Sequence, residues 1–204
     1  KKELDLSTPK VMGVLNLTPD SFFDGGKFLK KNNSFDESKI INSIESMIED
    51  GADFIDIGAQ TTKPGFTKIS SSEELDRLGF IFDRLNDYPV LFSIDTFNYE
   101  VIKEAINKKI DLINNVFSFS DQESFKLVCR NNIPICVCHQ GNPDNKEDIF
   151  SQINLFFSDV EEKFAKEKFN TDNIIFDPGF GYGKTPFQNL KILSNLEKLK
   201  KDRI

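Results

Sequence analysis

Asn16, Asp56, Asp95, Asn114 and Asp177 each stand at or near the end of a short run rich in Val and Ile, where a buried strand gives way to a loop. Cys138 closes a run of the same kind and leads into His139, Gln140 and Gly141. Singly, an Asp or Asn in such a place also fits a helix N-cap or a turn. Taken together they suggest more, because carboxylates gathered in a partly dry pocket need a cationic or donor-rich partner. A heterocycle presenting a guanidine-like row of N–H groups would meet that need through charge-assisted pairs.

The apolar runs cover residues 11–17, 54–57, 90–94, 111–116, 133–137 and 174–176, and longer segments of helical period lie between them. Within 35–50, Ile40, Ile44, Met47 and Ile48 recur at i, i+4, i+7 and i+8, with Gly51 as the natural stop. Serines at 70–72 followed by Glu73 and Glu74 suit an N-cap with acidic residues in the first turn of a second helix, which ends before Pro89. Further helices are predicted over 99–108, 122–130, 146–168 and 188–200. The chain reads as about six consecutive βα units with no repeat or linker between them. Such a series admits a doubly wound open sheet or a (β/α)8 barrel, and at 204 residues length alone favours the open sheet, since barrels usually need roughly 250. In a barrel the strand ends converge on one mouth, which would bring these polar side chains to a common cavity.

Composition narrows the partners. With 204 residues, 38% apolar and 29% charged, the expectation is a single domain over 1–204. A net charge of −7 argues against a nucleic-acid partner, which calls for a basic face. An anionic substrate would then have to be met by a few local basic residues, by helix N-termini or by a metal. Three cysteines, Cys129, Cys136 and Cys138, read as reduced thiols of a cytoplasmic protein, and they lack His or Cys partners at zinc spacing. The first residues lack a signal-peptide core, and no stretch approaches the ~20 apolar residues of a membrane span, so no membrane partner is expected.

The motifs decide between the two architectures. Val-Met-Gly-Val-Leu-Asn-Leu-Thr-Pro-Asp-Ser-Phe-Phe-Asp-Gly-Gly at 11–26 resembles the first signature of the dihydropteroate synthases, and Gly-Ala-Asp-Phe-Ile-Asp-Ile-Gly at 51–58, continuing to Pro64 and Gly65, resembles the second. Ser-Ile-Asp-Thr at 93–96, Leu-Ile-Asn-Asn at 112–115 and Asp-Pro-Gly-Phe-Gly-Tyr-Gly-Lys at 177–184 follow in the family's order, so the resemblance runs from about residue 10 to about residue 196. It implies a (β/α)8 TIM barrel with about six βα units present and the C-terminal part missing. It also implies condensation of 6-hydroxymethyl-7,8-dihydropterin diphosphate with 4-aminobenzoate, giving 7,8-dihydropteroate and diphosphate with Mg2+ as cofactor.

By the same resemblance Asp95, Asn114 and Asp177 hold the pterin, Asn16 meets the metal and the diphosphate, and Thr62 lies beside them. Asp95, Asp177 and Asn16 are thus the expected catalytic residues, and Asp56, Cys138, Tyr182 and Lys63 complete the expected substrate contacts. Lys184 is a further basic residue near that mouth, and His139, the only histidine, is expected to be structural. Loops 18–26 and 61–65 are expected to close over the aminobenzoate and exclude water. The family is the target of sulfonamides and commonly forms homodimers.

The sequence also departs from the family. Ala59, Gln60, Thr61 and Lys63 replace four residues of the usual Gly-Gly-Glu-Ser-Thr-Arg-Pro-Gly, and Lys63 lacks the planar fork that grips a carboxylate. Asn115 stands where an acidic residue is usual, and the stretch after Cys138 is one residue short. The later Ser-Arg-Lys and Arg-x-His motifs have no counterpart before Ile204. The expectation is therefore a chain incomplete at its C-terminus, with two unpaired sheet edges and no activity as residues 1–204 alone. A P-loop reading of Gly179 to Thr185 fails, because three residues rather than four separate the outer glycines. A pterin-dependent methyltransferase would share the carboxylates but needs no diphosphate loop. A non-catalytic pterin-binding relative would bind without turnover.

Overall fold

Alternating apolar and helical segments become alternating strands and helices in a computed structural model, which describes residues 5–18, 28, 35–61, 67–142 and 147–199. The expected α/β class holds, with parallel pairing wherever register is defined. The structure divides into two compact units, Lys1–Asn114 and Asn115–Ile204.

The first unit carries β1 (Met12–Asn16), α1 (Glu37–Glu49), β2 (Phe54–Gly58), α2 (Ser71–Phe82), β3 (Leu91–Asp95) and α3 (Tyr99–Asn107). The strand β4 (Leu112–Asn115) pairs with β3 and places its Asn114 in this unit. Helix starts follow their caps: the Asp36 side chain accepts from Lys39 N, and the Ser70 side chain from Glu73 N. The stop expected at Gly51 is present, with φ +96°. Ile40, Ile44, Ile55, Ile57, Leu78 and Ile94 are buried, and every residue of β2 is buried, as a strand covered on both faces requires.

The second unit carries α4 (Gln122–Asn131), β5 (Ile135–Cys138), α5 (Ile149–Lys166), β6 (Ile174–Asp177) and α6 (Pro186–Leu193). Its core is aromatic. Phe164 meets Phe125 edge-on with ring centroids 4.9 Å apart, and Phe157 lies 4.8 Å from Phe176. The last helix differs from the expected 188–200. It begins at Pro186, because Thr185 and Gln188 form a capping box ahead of it, and it ends at Leu193. Ser194 and Asn195 then turn their side chains back onto the carbonyls of Leu190 and Lys191, and a short 3-10 turn, Leu196–Lys198, follows.

Register places the first unit's polar residues in layers. Asn16 pairs with Gly58, Gly58 with Asp95, and Asp95 with Asn114, so four strands contribute one row at their C-terminal ends. Two residues earlier, Val14, Asp56, Ser93 and Leu112 form the row beneath. Side chains two apart on a strand share a face, so Asp56, Ser93, Asp95 and Asn114 all project to the same side of the sheet.

Candidate functional site

Asp56 is buried within β2, and its Oδ2 accepts a hydrogen bond from Asn114 Nδ2 at 3.1 Å. Its Oδ1 is buried with no partner, and so is the Oγ of its register neighbour Ser93. Burial raises the Asp56 carboxyl above the usual range, with the nearby Ser93 hydroxyl and the Asn114 amide pulling the other way. Asp95, half-buried at the end of β3, is pushed up further, first by burial and then by the negative charges of Asp56 and Glu74. A carboxylate kept out of water beside like charges is stabilised by any ligand that brings N–H donors.

Gly58 allows this row to close. A Cβ at that position would lie 3.2 Å from Asn16 Oδ1 and 3.6 Å from Asp95 Oδ2, so two oxygens converge over a residue with no side chain. Among the described residues, no group of three or more His, Cys, Asp or Glu side chains could hold a metal ion. Mg2+ does not require one, since it usually takes one or two protein oxygens and completes its shell with water and substrate phosphate. The Asn16 amide oxygen is a hard donor of the right kind, so the residues present fit that ion.

Glu74 was read from the sequence as a first-turn acid of α2, and the structure buries it completely. Its Oε1 accepts from Thr96 Oγ1 at 2.7 Å and its Oε2 from Asn98 Nδ2, just beyond Asp95. The available signal was periodicity, because Glu74 falls on the same helical face as the buried Leu78, Ile81 and Phe82. Two of the departures from the family pattern are also buried here. Ala59 O accepts from Arg77 Nη1 at 2.8 Å, and Gln60 Oε1 accepts from Ile69 N at 3.1 Å while its Nε2 has no partner.

In the second unit Cys138 and Asp177 are register partners at the ends of β5 and β6. Asp177 Oδ1 accepts from Gly179 N at 2.7 Å, and Cys138 is buried. The turn that follows β6 is braced by Lys184. Its buried Nζ donates to the carbonyls of Gly179 at 2.7 Å, His139 at 2.8 Å and Tyr182 at 3.2 Å. Burial lowers its pKa to about 8, so at neutral pH it remains an ammonium with three N–H groups committed to backbone. The basic residue noted after the glycine-rich motif braces this turn. Gly179, at φ +73°, could carry no Cβ without colliding with His139 O. Tyr182, half-buried, is held in this turn by Tyr182 N to Gly179 O and by Gly141 N to Tyr182 O.

His139 is buried. Its ring meets Phe156 edge-on with centroids 5.3 Å apart, its Nδ1 is buried without a partner, and burial with the Lys184 charge lowers its pKa to about 4. Thr62 and Lys63 lie outside the described residues, as do loop 18–26 beyond Thr18 and loop 61–65 beyond Thr61. Among the described residues no helix is long and apolar enough to cross a membrane.

The model of the family described as pterin binding enzyme matches residues 12–203, which places this α/β chain, with Asp and Asn side chains at its strand ends, in the pterin-binding class of enzymes. The chain belongs to the dihydropteroate synthases within that family. It is 37% identical to the dihydropteroate synthase of Clostridium beijerinckii over 198 residues, covering 93% of this chain and 69% of the relative. Among solved structures, a Yersinia pestis dihydropteroate synthase in a sulfonamide drug complex superposes with a TM-score of 0.87 at 31% identity, covering 98% of this chain and 74% of that one. A Xanthomonas albilineans dihydropteroate synthase with 4-aminobenzoic acid gives 0.83 at 29% identity, covering 96% and 70%.

Proposed function

We propose that this chain binds 6-hydroxymethyl-7,8-dihydropterin diphosphate and carries the residues that direct its condensation with 4-aminobenzoate. The family to which it belongs is one of transferases in folate synthesis. The observation that carries the assignment of residues is the row of Asn16, Gly58, Asp95 and Asn114 above a buried Asp56 whose Oδ1 has no partner. Carboxylates so placed accept the N–H groups of a 2-amino-4-oxo ring edge, and Asn114, already donating to Asp56, orients that acceptor. Asp177, Cys138 and Tyr182 in the second unit, with Thr62 and Lys63, are assigned to the substrates on the family resemblance. The family match runs across both units, which supports one pterin-binding domain.

The reaction breaks the bond between the exocyclic methylene carbon and the diphosphate oxygen, and diphosphate leaves with the bonding pair. Positive charge then spreads from the methylene into the ring, and buried carboxylates favour that cation more than the neutral ground state, which lowers the barrier. The amine of 4-aminobenzoate forms the new C–N bond and gives up a proton. An aromatic amine is already a neutral nucleophile, so no side chain need act as its base. Asn16 would hold Mg2+, which when bound would supply charge neutralisation for the departing diphosphate.

A homodimer and a cytoplasmic setting belong to the same proposal, supported by the family resemblance and by three cysteines that form no disulfide, respectively. The sulfonamide complex of the Yersinia relative supports competition at the aminobenzoate position. The direct test supplies the natural protein with both substrates and measures dihydropteroate together with diphosphate. Equimolar formation of the two supports the reading, and pterin binding without either product contradicts it.

A further inference from the structure

We propose that Glu74 is a positioning residue for the pterin-accepting end of β3: through both carboxylate oxygens it ties turn 96–98 to α2 and so fixes where Asp95 stands. The inference rests on the functional reading above and adds to it a residue outside the substrate contacts. A fully buried glutamate is rare and must be accounted for by its partners. Here each oxygen has one partner, Thr96 Oγ1 and Asn98 Nδ2. Thr96 Oγ1 also accepts from Asn98 N at 3.2 Å, which leaves its own hydrogen for Glu74 and closes a three-residue ring of bonds.

A purely local role for Asn98 would be to cap α3, whose N-terminus it occupies. It makes no side-chain cap bond there, and its Nδ2 donates to Glu74. Helix α3 thus lacks a side-chain cap, and the residue at its N-terminus links to another helix instead. Helix α2 also reaches the neighbouring strand end, since Arg77 Nη1 donates to Ala59 O, one residue past β2. One face of α2 therefore grips the loops after β2 and β3, the two strands that carry Asp56 and Asp95. Burial raises the Glu74 carboxyl above its usual range; Thr96, Asn98, Lys68 and Arg77 favour its ionised form, and the neighbouring Asp95 carboxylate opposes it.

The test measures binding of pterin itself by calorimetry, with KM for each substrate, in the natural protein and in E74Q, E74L and N98A. E74L leaves the turn untied and is expected to weaken pterin binding on the order of tenfold or more while KM for 4-aminobenzoate stays unchanged. E74Q recovers most of that loss, since an amide can accept from Asn98 and donate to Thr96 Oγ1. N98A falls between the two and carries the test if E74L does not fold. Unaltered pterin binding by folded E74L, or by N98A in its place, overturns the proposal, as does an equal loss for both substrates. Absence of pterin binding by the unaltered protein overturns the functional reading instead.

Discussion

Two regions, the strand ends of the first unit and the turn after β6 in the second, hold their polar groups in opposite ways. In the first, acceptors are left unspent: Asp56 Oδ1 has no partner, and Asp95 is crowded by two other carboxylates. In the second, the turn after β6 spends its lysine on the backbone, with the Lys184 ammonium divided among three carbonyls. An array of unsatisfied acceptors costs stability and is suited to a ligand that brings donors, whereas a satisfied array is suited to fixing the shape of a turn. The difference separates groups poised for ligand from groups that hold the scaffold.

The largest expected effect lies in the first unit. D95N in the natural protein should lower the condensation rate about 10²- to 10³-fold, the scale of removing one electrostatic stabiliser of a developing charge, and an activity near wild type would break the comparison. K184M should act on the second unit through stability. Each orphaned buried carbonyl costs about 1–3 kcal/mol, so a clear fall in the unfolding midpoint is expected, larger than any change in pterin affinity. His139 gives a smaller effect that depends on pH. Its folded pKa of about 4 lies below the ordinary 6.5, so the stability tied to its neutral form is complete above pH 6.5 and is lost as pH falls toward 4. H139N should flatten that part of a stability profile between pH 6.5 and 4. The smallest effect is expected at the exposed pair of Lys108 and Asp83, 2.8 Å apart, where K108A should leave the midpoint unchanged within error.

Much of this was legible in the chain. The strand ends could be read because doubly buried strands make apolar runs and a polar residue then marks where each run stops. The row of Asn16, Asp95 and Asn114 followed from those stops. Glu74 was missed because two adjacent glutamates after a serine cap satisfy a helix dipole, and only the periodic face distinguishes the buried one from Glu73. For Lys184 the sequence shows only a basic residue, because a lysine after a glycine-rich turn gives no sign of where its ammonium points; the carbonyls that claim it come from residues as far back as His139. The end of α6 depended on Ser194 and Asn195 turning back on the helix, a local competition that apolar spacing does not report.

The central claim is that Asp95 is kept at a cost to the fold because a ligand needs it. Its folded pKa lies well above 3.8, so its protonated form is favoured by folding at low pH and its charge becomes a burden as pH rises through the folded value. Unfolding and pterin binding, measured side by side at neutral pH for the natural protein and D95N, test this directly. The account predicts that D95N is the more stable protein and the much weaker binder, with the stability gap closing toward pH 3.8. A D95N protein that is less stable and binds pterin as well as the natural one would contradict it.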